Sequence, residues 1–103
     1  MSDGDRTAHL YAMVSGLAAQ CRRWREINGS WTKPHEAAAD ATHLIEAIGY
    51  AIERGDVGAV RHLADMADNK LAITAALIRP LNRDMADSLA ADRRLVHELR
   101  TYG

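Results

Sequence analysis

The chain has no phenylalanine, a single cysteine and two prolines, and no apolar run approaching the ~20 residues that span a bilayer. Each deficit excludes something. A lone Cys21 cannot close an internal disulfide, so the fold must rest on packing alone. With two Trp and three Tyr as the only aromatics, the chain is short of the side chains that favour sheets. Net charge is missing too. Thirteen basic residues oppose 14 acidic ones, a balance of −1 that argues against wholesale binding to nucleic acid or an anionic membrane. The opening Met1 to Asp5 is acidic where a secretory leader would be basic, so a soluble, cytoplasmic protein is expected.

What is present is alanine and a helical rhythm. Alanine fills 19 of 103 positions, and 48% of the residues are hydrophobic, which suits one domain of closely spaced helices around a single core. Four segments carry apolar residues at i, i+3, i+4, i+7 spacing. The first runs from about residue 5 to 27, with Leu10, Met13, Val14, Leu17, Cys21 and Trp24 on one face and Asp3 or Asp5 available to cap it or oppose its positive end. Asn28 and Gly29 offer a left-handed stop. The second covers about 33 to 54, with Thr32 as cap, Pro34 in the first turn, and Ala41, Leu44, Ile45, Ile48, Ala51 and Ile52 facing inward. Gly55 and Asp56 form a compact stop and restart, Pro80 ends the third segment (about 56 to 79), and Asn82 caps the fourth (about 82 to 102). Equal lengths and short connections predict an all-α, up-down-up-down antiparallel four-helix bundle. A competing arrangement breaks the third helix near Asp68, Asn69 and Lys70, but its apolar stripes keep phase across those residues. The extreme ends, Met1 to Gly4 and Gly103, are expected to fray.

The third helix is apolar over more of its circumference than one-sided packing needs. Val57, Val60, Leu63, Ala64, Ala67, Leu71, Ala75 and Ile78 form one stripe; Ala59, Met66, Ile73 and Leu77 form a second, turned by roughly 100°. The second stripe predicts a homodimer or partner interface, with His43 and Tyr50 as further exposed contact residues on the second helix.

Chemical motifs are sparse. Asp40 and His43, three residues apart, resemble half of a carboxylate-bridged metal pair, and Asp65 or Asp68 would have to complete it; the second half of that pattern is missing, so no metal or cofactor is expected. Cys21 lies on the core face, where a thiol is inert. His9, His35, His43, His62 and His97 share no common face, and no nucleophile or phosphate-binding motif appears. Arg22, Arg23 and Arg25 flank Trp24 as the densest basic patch, a candidate phosphate-contacting surface together with Arg93, Arg94 or Arg100. Trp24 itself is in phase with the core, and Trp31 is expected to close one end of the bundle. In the fourth helix Asp92 occupies the centre of the apolar face, and the hairpin register sets it level with Asn69 and Lys70. A buried Lys70 to Asp92 ion pair is therefore expected.

These features predict a small, non-enzymatic interaction protein of the adaptor, inhibitor or regulator kind, as encoded by bacteria, phages or other mobile elements, with a protein partner and a dimer seam on the third helix. A nucleic-acid-binding regulator using Arg22, Arg23 and Arg25 is the alternative reading, and a small metal-dependent bundle enzyme centred on Asp40 and His43 ranks third.

Overall fold

A computed structural model describes residues 2–102 as four long helices: α1 (Asp3–Ile27), α2 (Thr32–Arg54), α3 (Val57–Ile78) and α4 (Arg83–Leu99), with one 3₁₀ turn (Gly29–Trp31) between the first two. They pack as an antiparallel four-helix bundle, 42 × 20 × 20 Å, and no strand occurs among the described residues. Helix α3 is continuous through Asp68, Asn69 and Lys70, so the broken arrangement is set aside. Met1 and Gly103 lie outside the described residues, while Asp3 and Gly4 already belong to α1.

Local chemistry explains the boundaries. Ser2, not Asp3 or Asp5, caps α1: its hydroxyl oxygen accepts from the Asp5 amide at 3.1 Å, leaving Asp3 and Asp5 in the first turn opposite the positive end of the helix. Asn28 is extended rather than left-handed (φ −144°), and its side chain accepts from the Ser30 amide to start the 3₁₀ turn. That turn runs directly into α2, so Thr32 is already helical and no side chain caps α2. Gly55 does adopt the left-handed conformation (φ 70°), and its amide closes α2 on the Ala51 and Ile52 carbonyls. Asp56 and Asn82 cap α3 and α4 through the Ala59 and Met85 amides, at 3.1 and 3.0 Å. Helix α4 ends three residues early, at Leu99, because the chain turns at Arg100 and the Tyr102 carbonyl is held by Arg61 Nε at 2.7 Å.

The main core joins Leu10 and Val14 of α1, Ala41, Ile45, Ile48 and Ala51 of α2, Val60, Ala64, Ala67 and Leu71 of α3, and Leu89, Val96 and Leu99 of α4. A smaller core at the other end is built on Cys21, Trp31, Ile78 and Ala86, and Trp31 closes it as expected. The rings of Trp24 and Trp31 meet there at 4.4 Å, tilted by 54°. Burial pushes the Cys21 thiol up to about 11. Each helix packs mainly on its neighbours in sequence; α1 and α4 meet much less extensively. An open seam of about 440 Å³ remains between them, lined by Met13, Leu17, Met85, Leu89 and Asp92.

Among the described residues, no helix is long and apolar enough to cross a membrane.

Candidate interaction surface

Helix α3 settles its two stripes differently. Of the first stripe, Val60, Ala64, Ala67, Leu71, Ala75 and Ile78 are buried, Leu63 is half-buried, and Val57 lies at the exposed start. The second stripe is divided: Met66 and Ile73 are each 42% exposed and Leu77 is half-buried, while Ala59 packs against the main core. Met66 and Ile73 are seven residues apart, two helical turns, so they stand one above the other about 10 Å apart on the outer face. His62 and Asn69 are exposed on the same side of the helix, giving the apolar strip a polar margin. The polar contacts of α3 on either side of this strip run from Lys70 to Asp40 of α2 and from Asp65 to Arg100 at the end of α4.

Of the two residues expected to extend this surface from α2, Tyr50 turns to a different one. His43 is exposed on the outer face of α2, and Tyr50, 54% exposed, borders a groove between α1 and α2. Tyr50 lies on the α1 side of that helix, while Asp40, on its other flank, is the residue that reaches α3.

The expected buried ion pair is also corrected. Lys70 Nζ pairs with Asp40 across the α2–α3 hairpin at 3.5 Å, a part-exposed contact. Asp92 instead turns toward α1 in the open seam, where burial raises its carboxyl above the usual range and His9 supplies only an opposing pull. The charge that is buried on the α3–α4 contact is Asp68, 8% exposed. Arg93 grips it with both nitrogens of its fork, Nε to Oδ1 at 2.8 Å and Nη2 to Oδ2 at 3.3 Å. His97 Nε2 and Arg100 Nη1 stand at 3.7 Å, and Arg100 Nη2 pairs with Asp65 at 2.9 Å. The Arg93 hydrogen bonds hold the Asp68 carboxyl below the ordinary range against its own burial. The hairpin register was right, since residue 93 faces residue 68 at the same level that would set 92 against 69. The rotation of α4 was wrong by one residue. Asp68 falls on the helical wheel among Ala64, Leu71 and Ala75, four residues after the first, three before the second and seven before the third, and that placement was the available signal.

This cluster brings carboxylate, imidazole and guanidinium together, but every group in it already has a partner. Asp65 and Asp68 both face α4, away from Asp40 and His43, so the metal-like pair on α2 gains no third ligand from them. Among the described residues, no group of three or more His, Cys, Asp or Glu side chains is arranged to hold a metal ion.

The basic patch is divided as well. Arg22 and Arg23 are exposed, but Arg25 is half-buried and donates through Nη1 to Nδ1 of His35 at 3.2 Å, which joins α1 to α2. Arg93 and Arg100 are committed to Asp68 and Asp65, leaving Arg94 exposed. Arg6 near the start of α1 touches Glu98 near the end of α4, so the level of Arg100 is some 17 residues, or about 25 Å, from that of Arg23. The two groups of arginines do not form one surface. No family model, curated protein or solved structure matches this chain.

Proposed function

We propose that the protein is a non-enzymatic interaction protein that pairs with a second copy of itself through the outer face of α3. The observation that carries this reading is the exposed, in-phase pair Met66 and Ile73, continued by the half-buried Leu77, on the outer face of α3. A seven-residue spacing is that of a helix seam, and in a two-fold antiparallel pairing Met66 of one copy meets Ile73 of the other. Methionine adapts to such a contact, and the exposed His62 and Asn69 supply the polar edge that interfaces carry. Pairing would leave the remaining exposed faces of both copies free to occupy a partner protein, as an adaptor, inhibitor or regulator does.

Sedimentation equilibrium of the wild type and of the double variant Met66→Glu, Ile73→Glu tests the reading. A wild-type dimer and a variant monomer of unchanged helical circular dichroism are expected. A monomeric wild type over the micromolar to millimolar range overturns the pairing, and a variant that unfolds assigns the strip to the core.

A further inference from the structure

A second exposed surface lies between the opening turns of α1 and the closing turns of α2, a side of the bundle to which α3 contributes no residue. The two helices come close there: a Cβ on Gly49 would sit 3.5 Å from Thr7 Cγ2. Beside that crossing, small residues including Ala8 leave an open groove of about 520 Å³. Its walls are Tyr11 and Tyr50, 39% and 54% exposed, and its α2 rim carries Glu46 and Glu53, both exposed and two turns apart. Neither glutamate belongs to an ion pair among the described residues, and no basic side chain lines the groove.

The surroundings add to this negative character. The nearby Arg6 is engaged by Asp3 and Glu98, at 2.7 and 2.6 Å, and the basic residue of the last α2 turn, Arg54, is exposed and does not line the groove. The closing turns of α2 bring the negative end of its dipole, while Asp3 and Asp5 oppose the positive end of α1.

We propose that this groove receives an arginine of a protein partner, flanked by apolar residues, as a contact separate from the α3 pairing. An apolar floor suits the aliphatic stem of that side chain, tyrosine faces attract a guanidinium, and two free carboxylates complement its charge and its forked donors. An anionic or purely aliphatic ligand would leave Glu46 and Glu53 facing it without compensation.

The probe is acetyl-Leu-Arg-Leu-amide, titrated into ¹⁵N-labelled protein and followed by amide chemical shifts, beside the same peptide with Gln for Arg. Saturable shifts confined to Ala8, Tyr11, Gly49, Tyr50 and their neighbours are expected with the arginine peptide, and affinity at least tenfold lower with the glutamine peptide. The doubly substituted Glu46→Gln, Glu53→Gln protein should lose a similar factor, since both side chains are exposed and the helix tolerates glutamine. The Met66→Glu, Ile73→Glu protein should bind the peptide as the wild type does, which separates this proposal from the α3 pairing. Equal binding of the two peptides, shifts spread over all acidic surfaces, or undiminished affinity in the glutamine variant would overturn it.

Discussion

At the scale of single residues, Asp68 and Asp92 are opposites, and pH distinguishes them. Asp68 is held by Arg93, so its carboxyl ionises more readily folded than unfolded. Its contribution to stability is full above the ordinary carboxylate range and is lost as pH falls through the depressed folded value. Asp92 is shifted upward by burial, so its ionisation opposes folding at neutral pH and its protonation in mild acid favours it. Urea unfolding at pH 7 should show Asp68→Asn weakened by about 1–3 kcal/mol, because Arg93 loses a charged partner on a largely buried contact. Asp92→Leu should leave stability unchanged or raised by up to about 1 kcal/mol at that pH. The same curves at pH 3 should bring both variants closer to the wild type. A loss in Asp92→Leu as large as that in Asp68→Asn would show that Asp92 has a partner the geometry does not provide. Cys21, with its thiol at about 11 and no exposed surface, should react with a thiol reagent only when the protein unfolds, so native labelling should follow the rate of opening.

At the scale of elements, much of the fold was legible because each signal was local. Gly55 with Asp56, Pro80 and Asn82 carry their conformations in their own chemistry, and all fall where the structure puts the ends of α2, α3 and the start of α4. Gly55→Ala should cost about 1 kcal/mol, since the position is held at φ 70°, and Asp56→Ala about 1 kcal/mol through the lost bond to the Ala59 amide. Thermal unfolding of each against the wild type checks both, and the effects should not simply add, because the two residues share one turn. What was not legible is rotation about a helix axis. Asp92 and Arg93 differ by only 100° on the wheel, and which of them turns to α3 depends on how α4 rolls against two neighbours at once. The apolar pattern of α4 permits either roll, whereas Arg93, with its long stem and forked head, can reach a buried carboxylate from the margin. Tyr50 was misplaced for a related reason: the outer face of α2 was found, but the side of that face nearer to α1 is a property of the assembled pair.

At the scale of the whole molecule, helix contacts follow the order of the chain. The bundle closes between neighbours and stays partly open between α1 and α4, where the Arg6–Glu98 pair ties one end and the seam beside Asp92 is half-filled. Filling that seam by Gly16→Ala is sterically free, because a Cβ there meets nothing within 4 Å, and it removes a flexible residue from the middle of α1. The variant should gain about 0.5–1 kcal/mol, read as a raised denaturation midpoint at unchanged slope.

The sequential order of contacts also sets the time in which this chain finds its shape. Successive helices are joined by only a few residues, so most of the native contacts require closing a short hairpin and few wait on bringing distant parts of the chain together. The α1–α4 seam, the one pairing of the two ends, contributes little, and the search does not have to await it. Refolding should therefore be complete within milliseconds, and a substitution in that seam should alter the unfolding rate far more than the folding rate.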